Sequence, residues 1–94
     1  MQYYYVYITT NPGKTTYYVG FTNNLERRLE EHYENKGNRK TFAGRYYCYN
    51  LLYYETFLYV KQAICREKEI KLMKREVKIE LIKVMNPAMN FLKI

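Results

Sequence analysis

Tyr3-Tyr4-Tyr5-Val6-Tyr7-Ile8-Thr9-Thr10-Asn11-Pro12-Gly13-Lys14, followed closely by Thr16-Tyr17-Tyr18-Val19-Gly20-Phe21, is the stretch whose reading decides the fold. Both runs are dominated by aromatic and β-branched residues, which suit a pleated, half-buried backbone. Pro-Gly between them is strong turn chemistry, so the segment predicts a β-hairpin. Gly20 interrupts the second run near its end. Glycine inside a strand marks a bulge or a point where backbone or ligand comes close.

Helix signals follow at once. Asn23 is the expected N-cap, with Glu26 reaching back to complete a capping box, and the helix runs to about Glu34. The polar stretch from Asn35 to Gly44 carries Lys36, Arg39 and Lys40, with Arg45 just beyond, and reads as an exposed basic loop. Tyr47 to Phe57 reads as a third strand. Two helices are expected after it, from about Val60 to Leu72 and from about Arg75 to Met85, the second ended by Asn86-Pro87. The order is ββαβαα: an α+β fold in which helices pack on a small three-stranded antiparallel sheet, with residues 1–94 read as one domain.

Composition narrows the class of function. Hydrophobic residues make up 48% of the 94 residues, enough for a folded core. The net charge of +7 favours a polyanionic partner, because Lys and Arg gain affinity by releasing counterions from phosphates. Cys48 and Cys65 form no CxxC pair, and with one histidine they suggest neither a disulfide framework nor a zinc site. No apolar run approaches membrane-spanning length, and the expected location is the cytoplasm.

Helical periodicity singles out a few polar residues. On the first helix Leu25, Leu29 and Tyr33 define the apolar stripe, and Arg27 faces solvent with Glu26, Glu30 and Glu34. Arg28 and His32 fall on the stripe or its margin, one turn apart. Two cations so placed repel unless an anion lies between them; the alternative is a snorkelling arginine and a boundary histidine. On the next helix Val60, Ala63, Ile64 and Ile70 form the stripe, with Glu67 near its middle and Arg66 and Glu69 on the outer side. A core-facing carboxylate must be paired, protonated or bound to a cation. Most of the thirteen tyrosines are packing residues, but Tyr7 and Tyr18 lie on the two hairpin strands just ahead of the helix bearing Arg28.

These residues together resemble the GIY-YIG nuclease superfamily, and its small stand-alone bacterial members most of all. Tyr5-Val6-Tyr7 is similar to the first signature element and Tyr18-Val19-Gly20 to the second, with ten residues between them. Arg28, His32 and Glu67 follow in the family's order. Tyr5 stands where the signature has Gly, Met89 stands where close relatives often carry Trp, and the family asparagine is either Asn86 or Asn90.

The resemblance implies a metal-dependent DNA endonuclease. In it Glu67 holds a single Mg²⁺ or Mn²⁺, Arg28 neutralises the scissile phosphate, and Tyr18 is the preferred base, assisted by Tyr7 or His32. Gly20 and Asn86 are structural at the site. Arg27, Lys36, Arg39, Lys40 and Arg45 are the residues expected on the nucleic acid. Without a separate DNA-binding segment, low sequence specificity is expected, with selectivity for DNA shape of the kind used in repair or recombination. RNA remains open as a substrate. The competing reading is a non-catalytic nucleic-acid-binding module that retains the fold.

Overall fold

The computed structural model describes residues 2–94. Strands β1 (Tyr4–Thr10) and β2 (Tyr17–Thr22) form the expected antiparallel hairpin. Asn11 organises the turn: its carbonyl accepts from Lys14 N at 3.0 Å, and its Oδ1 accepts from Thr15 N and Thr16 N at 2.8 and 3.1 Å. β3 (Asn50–Phe57) pairs antiparallel along the other edge of β1, giving the sheet order β2-β1-β3. β1 is therefore the central strand. Its residues Val6 to Thr10 are buried without interruption, as in a strand covered on both faces.

Alternation sorts the side chains into two cores. Val6 and Ile8 join Val19, Leu52 and Tyr53 against Ala63 and Ile70 of helix α3 (Val60–Lys71) and Ile82 of helix α4 (Arg75–Met85). Tyr7 points the other way. It packs with Leu51, Tyr5, Tyr18 and Tyr54 beneath Leu25 and Leu29 of helix α1 (Leu25–Glu34).

Several local expectations are corrected. Asn24, not Asn23, caps α1: its backbone is extended and its side chain accepts from Arg27 N at 3.0 Å. That moves the third helical position from Glu26 to Arg27, and the expected capping box does not form. Tyr33, expected on the apolar stripe, is 54% exposed and instead takes Lys36 Nζ over its ring at 3.6 Å. Val60 likewise lies outside the core. The stretch from Asn35 to Gly44 is not wholly loop. A short helix α2 (Phe42–Arg45) sits at its end, capped by Thr41, whose Oγ1 accepts from Gly44 N at 3.0 Å. β3 consequently starts at Asn50 rather than Tyr47, which takes a left-handed φ of 59°.

Arg66, expected on the outer side of α3, reaches back to β3. Its Nε donates to Glu55 Oε1 at 2.9 Å and its Nη2 to Glu55 Oε2 at 2.9 Å, while Nη1 meets Glu69.

Asn86 and Asn90 have different roles. Asn86 is buried; its Nδ2 donates to Leu52 O at 3.0 Å and Asn90 O at 2.8 Å, and its Oδ1 accepts from Asn90 N at 3.1 Å. It thus ties the segment after α4 to β3, and Leu92 N continues the attachment by donating to Leu51 O at 2.8 Å. Asn86→Ala should cost about 1–3 kcal/mol, the scale for stranding buried polar groups, read as a lowered midpoint of thermal unfolding. Asn86→Asp should not rescue it, because a carboxylate cannot donate to two carbonyls. An Asp variant as stable as the parent would remove Asn86 from this role.

Candidate functional site

The site starts from the cross-strand pair Tyr7 and Gly20, which lie directly opposite each other on β1 and β2. A Cβ built at Gly20 would lie 2.5 Å from Tyr7 Oη, 2.7 Å from Tyr7 Cζ and 2.9 Å from Tyr18 Cε2. The missing side chain therefore makes room for two phenols, whereas the sequence suggested room for a backbone or ligand. Tyr7 is fully buried, and its hydroxyl is 2.8 Å from His32 Nε2 on α1. Tyr18 closes the triangle, with ring centroids 6.2 Å from Tyr7 and 5.3 Å from His32, edge-on to the latter.

Charge binds two more residues into this group. Burial first, then the neighbouring Tyr18 phenol, push the Tyr7 hydroxyl well above its usual value near 10; Arg28 pulls it down and Glu67 pushes it up. Burial first, then Arg28, lower His32 from its usual 6.5, against a smaller opposing effect of Glu31. His32 is therefore neutral at pH 7, so its Nε2 can accept the Tyr7 proton. Arg28 and Glu67 thus act on the same phenol, although Glu67 comes from α3 on the other side of the sheet. Arg28 has an unusual feature. Its Nε is buried with no hydrogen-bond partner, lying 3.2 Å from Glu31 Oε1 in a geometry unsuited to a bond. A buried donor left unsatisfied is costly unless something else occupies it.

Residues 3–80 match the GIY-YIG catalytic domain family. The chain is 38% identical to the UPF0213 protein of Oceanobacillus iheyensis over 84% of this chain and 88% of that one. It is 35% identical to the UPF0213 protein of Staphylococcus haemolyticus, over 84% and 93% of the respective chains. The chain belongs to the GIY-YIG family. The solution NMR structure of a UPF0213 protein from Bacillus halodurans superposes with a TM-score of 0.58 at 28% identity, covering 92% of this chain and 88% of that one. The fold and the nuclease superfamily inferred from the signature elements are thereby borne out.

Around this GIY-YIG cluster the remaining expected residues divide. Glu67 is half-buried, with 18% side-chain exposure, on the α3 face that also holds Ala63 and Ile70. Arg66, the arginine beside it on α3, pairs with Glu55 of β3 and not with Glu67. Glu67 pairs with Lys71 at 3.4 Å, a partner 51% exposed and only weakly holding. No three His, Cys, Asp or Glu side chains cluster among the described residues. Glu67 offers carboxylate oxygen, the donor type a hard divalent cation takes when it keeps most of its waters.

Asn86 stands apart, engaged with β3 and Asn90. Arg27 is exposed and approaches Asn23 and Glu31. Lys36 is occupied by the Tyr33 ring and carbonyl. Arg39, Lys40 and Arg45 converge with Thr41, Phe42 and Tyr46 around an open depression of about 250 Å³. Phe42 stacks on Tyr18 at 6.1 Å and 26°, which brings this depression against the cluster. The sequence reading passed over Phe42. Thr41 three residues ahead of Gly44, a capping residue inside a polar run, was the available signal.

Burial of His32 has a consequence for pH. Because its folded value is lowered, the neutral ring contributes stability that is complete above the unfolded value of 6.5 and is lost as pH falls through the folded one. Unfolding midpoints measured below pH 6.5 should decline, and His32→Gln should flatten that decline. An unchanged slope in the variant would mean that other groups govern the acid limb.

Proposed function

We propose that this protein is a divalent-metal-dependent endonuclease that hydrolyses phosphodiester bonds in DNA with low sequence specificity. The observation that carries the reading is the buried Tyr7–His32 hydrogen bond, with the Tyr18 ring edge-on to His32 and Arg28 one turn before it on the same helix. A packing tyrosine needs a partner for its hydroxyl, but it does not need a part-exposed arginine whose charge bears on both members of the pair.

Roles follow from what each group can do. The Arg28 guanidinium, on a 37%-exposed side chain whose Nε is ion-paired with Glu31, is suited to receive a scissile phosphate and stabilise the charge that grows on it. Glu67 is placed to hold Mg²⁺ or Mn²⁺. The ion, when bound, supplies positive charge for the leaving oxygen. The attacking water must lose a proton. The elevated Tyr7 phenol is no base by prior ionisation, but it can take that proton while passing its own to neutral His32 Nε2 over 2.8 Å. In this proposal Tyr7 with His32 takes the role first given to Tyr18. Tyr18, half-buried between them and Phe42, orients the water and the strand. Exposed Arg39, Lys40 and Arg45, with Arg27 further along α1, are suited to follow the phosphate backbone.

Glu67→Gln should retain the fold by circular dichroism and lose metal-dependent cutting of a panel of branched, nicked and linear DNAs. A folded Gln variant cutting at the parent rate would sink the assignment. Arg28→Ala should slow the chemical step by ~10²–10³-fold, the scale for losing one electrostatic donor. Lysine should restore only part, since it lacks the planar fork.

Single-turnover rates across pH should separate the two tyrosines. The parent rate should rise with pH through the lowered His32 value, because only the neutral ring can take a proton. Tyr7→Phe should be slow and lose that limb, while Tyr18→Phe should keep it. The opposite pattern would return the base to Tyr18.

A further inference from the structure

The row of aromatic side chains does not stop at the proposed chemistry. From Tyr18 it continues to Phe42, stacked at 6.1 Å with 26° between the rings, and on to Tyr46 at 4.8 Å. Phe42, the first residue of α2, is 50% exposed, and Tyr46, its C-cap, is 43% exposed. Their position is not accidental to a loose loop. Thr41 caps α2, and Gly37 N donates to Gly44 O at 2.8 Å. A Cβ at Gly44 would lie 2.6 Å from Asn38 O and 2.7 Å from Asn35 O, so the segment is folded tightly against itself. The rings are held there, with Arg39, Lys40 and Arg45 around the same depression of about 250 Å³.

We propose that Phe42 and Tyr46 form a stacking platform for an unpaired nucleobase next to the cleavage site, making flapped or single-stranded DNA the preferred substrate. The inference deepens the nuclease reading and rests on it for the identity of the polymer. Exposed aromatic faces flanked by cations match a nucleotide's two chemistries, a flat π surface and a phosphate. In a perfect duplex the base faces are already stacked on their neighbours and only edges and backbone are offered. A platform of ring faces therefore discriminates for the unpaired strand whatever its sequence. The Tyr18–Phe42 stack sets the register: a base seated on Phe42 leaves its own backbone beside Tyr18, Arg28 and the Tyr7–His32 pair.

The test is binding in EDTA, where no cutting intervenes, using a perfect hairpin duplex and a flapped duplex with 2-aminopurine as an unpaired base. The parent should bind the flap more tightly and quench the 2-aminopurine. Phe42→Ala and Tyr46→Ala should each weaken flap binding roughly tenfold, the order expected for one lost base–aromatic stack, and change duplex binding by less than about twofold. Phe42→Leu keeps apolar packing on Tyr18 and should also lose the quench, while Phe42→Tyr should keep it. Equal losses on duplex and flap, or a quench that survives Phe42→Leu, would overturn the platform. So would a Phe42→Ala protein that loses binding to phosphatidylserine vesicles and keeps its hold on the flap, which would make the patch a lipid contact. A parent that quenches and selects the flap, yet cuts nothing with Mg²⁺ or Mn²⁺, would support the platform and refute the nuclease reading.

Discussion

A phenol at the centre of a sheet must satisfy its hydroxyl without water, and Tyr7 does so through His32 at 2.8 Å. Much of the architecture follows from that one bond. It requires α1 to lie across the face of the sheet that Tyr7 occupies, with His32 turned inward, and therefore requires the helix to start where it does. It also requires a gap on β2 opposite Tyr7, which Gly20 supplies. The cost of replacing Gly20 would be steric before it was conformational, since a Cβ there would meet the phenol itself at 2.5 Å. The signature glycine and the signature tyrosine are in this sense a single packing unit, spread over two strands.

Burial that makes the bond necessary also sets its proton. The same desolvation raises the Tyr7 hydroxyl and lowers the His32 ring, so the proton stays on oxygen and the ring stays an acceptor. Arg28, one turn before His32, reinforces the second effect and opposes the first. An arginine at that helical position is thus coupled to both partners while leaving its own Nε unbonded. Stability and chemistry pull in different directions here. An arginine with a full set of partners would suit the free protein better, but it would have less to offer a phosphate.

The sequence spoke clearly wherever periodicity and turn chemistry acted locally. The hairpin, α3 and α4 came out within a residue or two, because Pro-Gly, Asn86-Pro87 and the apolar spacing are local signals. It spoke less clearly where two residues competed for one job. Asn23 and Asn24 are equally good caps by type, and Thr22 Oγ1, which accepts from Asn24 N at 3.1 Å, helps to place the second. Arg66 looked solvent-facing by helical angle, yet a guanidinium is long enough to fold back to Glu55 on β3, a partner no helical projection contains. α2 was hidden for a different reason. Its four residues, with exposed Phe42 at the start and Tyr46 as C-cap, carry no amphipathic pattern, and its tight fold depends on Gly44 meeting carbonyls from residues 35 and 38.

Glu67 marks the limit of reading a site from one helix. Periodicity placed it on the inner face, and the structure keeps it there at half burial, but periodicity could not say which charges it would share space with. The sheet decides that. β2, an edge strand, carries Gly20 and Tyr18 beside Tyr7 on the face beneath α1, while α3 packs against the opposite face of the sheet. A carboxylate from α3 can act on a phenol held under α1. An edge strand is usually something a fold must protect from unwanted pairing. Here the edge carries Tyr18, whose stack with Phe42 joins the cluster to the basic surface outside.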